Sequence, residues 1–374
     1  MVLPTNRKLN LLQRTESEDH TQIDTGIMNN LTHFVMIAAI MLAACSKQDP
    51  LSPDTGIPSV TPTSSYVVMV ENDVIYADGL GYTPASLSPH AIPLTLDIYS
   101  PDNSLTNRPV FMFIHGGGFQ GGFKTKPEIV AMATYYASRG WIFVSIDYRT
   151  ASDAGTITDM TSEEVEAHYS GIVPQEWLDM VLQYASSEED IQAGLAMYAA
   201  QRDAKAALRW VVANASSYHI NTNYITVGGA SAGAITAIAL GISDQEDFRD
   251  EIPLTDDFTL ASSNLDQTYE VKSIVNFWGS NIKLELFESA FGLNRYDMAD
   301  PELFTAHGTR DANPVTTYSE AVELHQIYDS LGIYHALVPL ENAGHAAWDA
   351  TIDGKSLSDL SYDFLVERLG LTID

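Results

Sequence analysis

A single cysteine, Cys45, stands among 374 residues, so an intramolecular disulfide is excluded and packing must hold the fold. Basic residues are scarce as well: 19 Lys and Arg face 49 Asp and Glu, a formal net charge of −30. Such a surface repels phosphate backbones and anionic headgroups, which argues against nucleic acid or a charged lipid surface as partner. No apolar run approaches the ~20 residues of a membrane-spanning helix. No Cys/His cluster suited to a metal is present, nor the Lys-[Ser/Thr] of a phosphate-binding loop, so no metal and no cofactor are expected. What remains is an acidic chain of 40.9 kDa, long enough to bury a large core.

The one notable apolar run, residues 34–44 (F-V-M-I-A-A-I-M-L-A-A), has the length of the hydrophobic segment of an export signal. A buried N-terminal helix is the alternative. Leu42-Ala43-Ala44-Cys45 resembles the lipobox of bacterial lipoproteins. That resemblance implies loss of the leader 1–45, a lipid on Cys45 as the mature N-terminus and, with Ser46 following, attachment to the outer membrane. Membrane association is then expected only through this anchor. Residues 46–65 are rich in Pro, Ser, Thr and Asp without apolar period, which reads as a flexible linker, and the folded domain is expected over 66–374.

Within that domain, strand-like and helical patterns alternate. Pro109–Ile114 (P-V-F-M-F-I) and Trp141–Ile146 read as buried strands, and Tyr224–Val227, Val271–Trp278, Leu303–Ala306 and Ala336–Leu340 as further strands. Glu128–Ser138, Ala193–Asn214, Ile282–Phe291, Tyr318–Leu331 and Leu357–Leu369 read as helices. Two earlier strands, from Tyr66 to Tyr76 and from Ile92 to Tyr99, suit a leading antiparallel edge. The pattern predicts an α/β fold with a mostly parallel sheet covered on both faces, in which ligands bind at the carboxyl ends of strands. An acidic insertion, 151–191, interrupts the rhythm and is expected to act as a cap, together with 281–295. Trp177, Met180 and Tyr184 are candidate walls of a site beneath it, and Phe119 and Trp278, near strand ends, are candidate substrate-binding residues.

Two strand ends carry chemistry. Tyr224–Leu240 reads Y-I-T-V-G-G-A-S-A-G-A-I-T-A-I-A-L, a strand, a serine and a helix of small residues. Gly229 and Gly233 flank Ser231 at −2 and +2. A sharp strand-to-helix turn presses those two positions together, so only residues without Cβ fit, and the serine hydroxyl is lifted clear of the sheet. The Pro109 strand ends in His115-Gly116-Gly117-Gly118-Phe119. Successive glycines at a strand end bare their backbone N–H groups, as stabilisation of a developing oxyanion requires. His115 is expected to orient this loop rather than to titrate.

These two motifs, about 115 residues apart, resemble the α/β-hydrolase esterases, specifically the hormone-sensitive-lipase-like carboxylesterases and the related feruloyl and acetylxylan esterases. The similarity extends from Tyr66 to Asp374 and includes Asp147-Tyr148-Arg149, Gln201-Arg202-Asp203-Ala204 and His307-Gly308-Thr309-Arg310-Asp311. Gly-Ala-Ser-Ala-Gly-Ala departs from the Gly-Asp-Ser-Ala-Gly-Gly of the lipase branch. The resemblance implies the order Ser, Asp or Glu, His for a catalytic triad. Asp311 follows one strand end and His345 the next, in that order. His307 is taken as the structural start of the turn that presents Asp311. The implied reaction is acyl transfer: Ser231 attacks, His345 takes its proton, Asp311 stabilises the imidazolium, and the N–H groups of Gly117, Gly118 and Ala232 bind the oxyanion. A small acyl group is favoured by the same resemblance. Competing readings are a peptidase of the prolyl-oligopeptidase kind and a surface-tethered binding module without catalysis.

Overall fold

The computed structural model describes residues 56–83, 86–155 and 161–374. The proposed leader, with Cys45, and the first part of the linker lie outside the described residues. In chain order the elements are β1 (Ser59–Val60), β2 (Val68–Thr83), β3 (Ser86–Pro101), β4 (Arg108–Ile114), α1 (Pro127–Ala137) and β5 (Ile142–Ile146). Next come α2 (Ser162–Tyr169), α3 (Gln175–Tyr184), α4 (Glu188–Ala213), β6 (Ile220–Ala230), α5 (Ala232–Ile242), β7 (Val271–Phe277) and α6 (Ile282–Phe291). The chain continues with β8 (Glu302–Gly308), α7 (Tyr318–Leu331), β9 (His335–Leu340), β10 (Thr351–Ile352), β11 (Lys355–Ser356), α8 (Leu357–Arg368) and β12 (Thr372–Ile373).

The central sheet has eight strands in the order β2-β3-β5-β4-β6-β7-β8-β9. β2, β3 and β5 pair antiparallel, and every pairing from β5 through β4 to β9 is parallel. The parallel strands need crossovers, which the intervening helices supply. Alternation within β4 sorts the two faces. Val110, Met112 and Ile114 join an aliphatic core with α3 to α7. Phe111 and Phe113 point the other way, into a second core where Tyr136 of α1, Trp141, Phe143 and Tyr362 of α8 meet. Phe111 packs edge to face on Tyr136 with centroids 5.0 Å apart, an arrangement the ring quadrupoles favour. Cap chemistry fixes the helix starts. Ser187 accepts from Asp190 N before α4, and Ser356 and Asp359 form a reciprocal capping box before α8.

The flexible linker expected to run to residue 65 does not describe residues 56–65. Ser59 and Val60 pair in parallel with Thr372 and Ile373, and Val60 is buried in the aromatic core. The N–H groups of Thr61, Ser65 and Tyr66 donate to the carbonyls of Ser138 and Arg139 at the end of α1. Tyr362 Oη donates to Thr61 O at 2.6 Å. A polar segment with one apolar anchor shows no periodicity in sequence, yet its backbone groups satisfy a helix end. The folded domain therefore starts before residue 66.

The insertion packs differently from the expected cap. Trp177 of α3 is fully buried against Tyr198 of α4 and against Phe248, at centroid distances of 5.3 and 5.9 Å, and its Nε1–H donates to Gly194 O. Met180 joins the same aliphatic core. Tyr184, 64% exposed, faces solvent.

Candidate active site

Register carries the loops to one edge. Ile114, Gly229, Asn276, Thr305 and Leu337 are successive cross-strand partners from β4 to β9. The glycine loop, Ser231, Trp278, Asp311 and His345 therefore all leave the sheet at its carboxyl edge, where a parallel sheet binds its ligand.

Ser231 joins β6 to α5 with φ 55° and ψ −124°, a left-handed φ that a side-chain-bearing residue adopts only where its surroundings enforce it. The enforcing contacts are its glycine neighbours. A Cβ on Gly229 would lie 2.3 Å from the carbonyl carbon of Gly233, and one on Gly233 would lie 2.0 Å from the oxygen of Ile114. Both positions are thus closed to any other residue, as the motif predicts.

Ser231 Oγ lies 2.9 Å from His345 Nε2, and His345 Nδ1 lies 2.7 Å from Asp311 Oδ2. With Nδ1 donating to the carboxylate, Nε2 carries a lone pair that can accept a hydrogen bond from the serine hydroxyl. The Asp311 carboxylate is fully buried, while the His345 side chain is 28% exposed. Asp311 Oδ1 accepts from Asn313 N at 2.9 Å.

His307 is more than the start of a turn. Its Nε2 reaches both Asp311 Oδ2, at 3.1 Å, and Thr316 O, at 2.9 Å. Both are acceptors, so Nε2 bears the proton and donates to both. Burial lowers the basicity of this ring. Two imidazoles thus share one carboxylate oxygen.

The glycine loop approaches from β4. Gly117 has φ 151° and Gly118 φ 62°, and a Cβ on Gly117 would lie 1.8 Å from Gly121 O. His115 beneath is buried, stacks on Tyr148 at 4.3 Å and is lowered to about 4 by burial. Its neutral ring supports the loop, in keeping with the orienting role expected of it. Among the described residues no hydrogen bond uses the N–H of Gly117, Gly118 or Ala232. Ala232 opens α5, whose first N–H groups have no partner within the helix. The two stretches noted beside the motifs also meet: Arg149 Nη2 pairs with Asp203 Oδ1 at 2.6 Å, buried, tying the end of β5 to α4.

Between these groups lies a cleft of about 390 Å³, lined by Gly116–Gly118, Lys126, Glu128, Ile129, Ala230, Ser231, Trp278, Asn313, His345, Ala346 and Trp348. Trp278 belongs to its wall, packed edge-on to Trp348 at 4.9 Å. Phe119 does not. Its side chain is buried in the aliphatic core, with the ring 5.1 Å from Lys283 Nζ. A left-handed backbone at Phe119, φ 62°, accompanies this inward turn. Lys283 is itself buried, hydrogen-bonded to Gln201 and Thr236, and burial pushes its amine well below the ordinary lysine range. Trp177, Met180 and Tyr184 are absent from the cleft wall as well. Lys126, Asn313 and Trp348 are wall residues that the sequence pattern did not single out. Their only signal is proximity to the motifs, with Asn313 two residues past Asp311 and Trp348 three past His345.

Fold and site together define an α/β-hydrolase arrangement, with a mostly parallel sheet, a serine at a strand-to-helix turn and a glycine loop beside it. The BD-FAE family model matches residues 96–162 and 159–290, together more than half of the chain. The chain belongs to the BD-FAE family, an esterase-type group of this fold. Among curated proteins it is similar to gut esterase 1 of Caenorhabditis elegans, 27% identical over 150 residues, which are 40% of this chain and 21% of that protein. It is also similar to phenmedipham hydrolase of Pseudarthrobacter oxydans, 28% identical over 147 residues, 39% of this chain and 22% of that protein. The matched stretch thus spans about a fifth of the length of these relatives. Among solved structures, esterase 2 of Thermogutta terrifontis phosphorylated by paraoxon superposes with a TM-score of 0.52 at 20% identity, covering 80% of this chain and 94% of that one. A truncated carbohydrate esterase from gut microbiota gives 0.51 at 16% identity, covering 82% and 98%. At these identities the structural likeness speaks for the fold.

Proposed function

We propose that this protein is a serine carboxylesterase that cleaves short-chain or carbohydrate-linked esters through an acyl-enzyme. The observation that carries the reading is the unbroken line from Asp311 Oδ2 through His345 to Ser231 Oγ, with contacts of 2.7 and 2.9 Å. A serine hydroxyl is a weak nucleophile until a positioned base removes its proton. In the proposed reaction Ser231 Oγ bonds to the ester carbonyl carbon as His345 Nε2 takes the proton. The carbonyl oxygen becomes an oxyanion facing the uncommitted N–H groups of Gly117, Gly118 and Ala232. Collapse expels the alkoxide, which leaves as alcohol with the proton from His345. Water, deprotonated by the same ring, then attacks the acyl carbon, and the second collapse returns the proton to Ser231. The BD-FAE membership and relatives named as an esterase and a hydrolase support the reaction type. The choice of short acyl groups and carbohydrate-linked alcohols follows from the family resemblance.

The test is hydrolysis of p-nitrophenyl esters from acetate to octanoate, with acetylated xylan, methyl ferulate and aminoacyl-anilides alongside, by the parent and by Ser231→Ala. Ester turnover that disappears in Ser231→Ala is the expected result. Turnover unchanged by that substitution refutes the nucleophile, dominant anilide cleavage points to a peptidase, and no ester turnover by the parent points to a binding module.

We propose further that the mature chain is exported and held at the bacterial outer membrane by lipid on Cys45. Mass spectrometry of the membrane-extracted protein is expected to find a lipidated Cys45 as first residue; a chain that begins at Met1 without lipid refutes this.

A further inference from the structure

The glycine loop presents donors only if its peptide planes are fixed, and their carbonyl oxygens show what fixes them. Gly117 O accepts from the N–H groups of Gln120 and Gly121, at 3.1 and 3.3 Å. Among the described residues the plane between Gly117 and Gly118 is therefore held by backbone donors alone. Gly116 O is held by side chains. Lys126 Nζ donates to it at 2.8 Å, and His115 Nδ1 lies 3.2 Å away. His115 is neutral in the working range, so Lys126 is the charged donor on this oxygen. Lys126 itself is anchored at the start of α1, where its carbonyl accepts from Ile129 N and Val130 N. The neighbouring Lys124 is engaged elsewhere, with Asp73, Asp97 and Asp147.

A trans peptide sets C=O and N–H antiparallel in one plane. Whatever holds Gly116 O therefore aims the N–H of Gly117, which no hydrogen bond among the described residues uses. A cation on the oxygen also draws electron density from the amide nitrogen, which makes that N–H a stronger donor. We propose that Lys126 is a positioning residue: its ammonium orients and polarises the Gly116–Gly117 peptide so that the Gly117 N–H meets the oxyanion. The proposal rests on the esterase reading above. It assigns a catalytic consequence to a lysine of the cleft wall that reaches the loop through Gly116 O, and it separates the two donors of the loop, one tuned by charge and one set by backbone.

The test compares Lys126→Met and Lys126→Arg with the parent and Ser231→Ala. Loss of a whole oxyanion donor costs on the order of 10²–10³ in turnover, so weakening one is expected to lower kcat about tenfold in Lys126→Met. KM should stay within about twofold, because the interaction grows only as charge develops. The factor should be the same for acetate and octanoate esters, and a trifluoromethyl ketone, whose adduct carries the oxyanion, should bind more weakly by that factor. Lys126→Arg should recover most of the loss. In glycine-15N-labelled protein the Gly117 amide proton should move upfield in Lys126→Met and stay near its place in Lys126→Arg, while that of Gly118 stays in both. An unmoved Gly117 resonance overturns the proposal. So does a loss that falls on KM and varies with the ester, because Lys126 would then contact substrate, and so does an arginine variant no better than methionine. If the parent cleaves no ester, or Ser231→Ala leaves cleavage intact, the esterase reading fails by itself, and the amide resonances still decide whether Lys126 governs this peptide.

Discussion

The carboxyl edge of the sheet and the insertion at 151–191 both carry aromatic residues and acids, yet the protein uses them in opposite ways. At the sheet edge, short loops leave strands locked in register and present Ser231, Trp278, His345 and the glycine loop to a common cleft, with Asp311 buried behind His345. In the insertion, Trp177 and Met180 are drawn inward onto α4 and Phe248, and Tyr184 is left in water. An amphipathic helix buries its apolar stripe against whatever surface is nearest, and here that surface is the helical layer. Residue type alone therefore marks neither a site nor a core. The rigidity of the element that carries the residue decides what it can be used for.

Substitutions can break or sharpen this contrast. The largest effect is expected at Ser231→Ala, with ester hydrolysis falling by on the order of 10⁴–10⁶ and a thermal unfolding midpoint close to the parent's; residual turnover near the parent level would remove Ser231 from the chemistry. Asp311→Asn should follow, at about 10³–10⁴ in kcat, because an amide favours the wrong tautomer of His345. A pH–rate profile is the check, and a small effect would mean that His307 and Thr316 position the ring without the carboxylate. The two tryptophans then compare the regions directly. Trp177→Ala should cost about 3–5 kcal/mol in urea melts while the folded enzyme keeps its kcat/KM, whereas Trp278→Ala should lower kcat/KM about tenfold by loosening the wall beside His345. A reversed pattern would place the insertion over the cleft after all.

The smallest expected effect is one of pH, at Lys205 of α4, beside the insertion. Its side-chain nitrogen is buried and donates to the carbonyls of Asp244 and Asp247. Burial lowers it to about 7; Asp247, Glu251 and Asp244 oppose the shift and Arg209 adds to it. The unfolded value is ~10.4, so between the two the unfolded chain binds more protons, and stability rises with pH across that window and falls as pH drops toward 7. Lys205→Met should flatten this rise by up to ~1.4 kcal/mol per pH unit, measured by urea melts at pH 7 and pH 9. Parallel curves for parent and variant would refute the depressed amine.

Much of the carboxyl edge was legible in the residues. Gly229, Ser231 and Gly233 encode their own geometry, because the turn tolerates no Cβ at its flanks, and the apolar runs of β4 and β5 announced buried strands. The loop His307–Asp311 was legible as a turn, but the second imidazole on Asp311 was not, since a four-residue spacing does not say where a ring nitrogen points. Phe119 misled for the same reason: next to the glycines it promised a wall, yet the left-handed φ that follows them turned its ring into the core. Lys126 gave no signal, being one lysine near another that pairs with aspartates. The segment 56–65 looked like a tether because backbone pairing with residues 372 and 373 leaves no periodic trace.

By itself the sequence determined the alternation of strands and helices and the strained serine between two glycines, while the order of acid and base came from the family resemblance. The first two are local facts, set by sterics and hydrophobic period. The tertiary structure decided which side chains share a space: two imidazoles on one carboxylate, a lysine on the carbonyl of Gly116, a tryptophan of the insertion packed on α4. Those contacts depend on where side chains point, and that geometry exists only once the sheet has fixed the register of its strands.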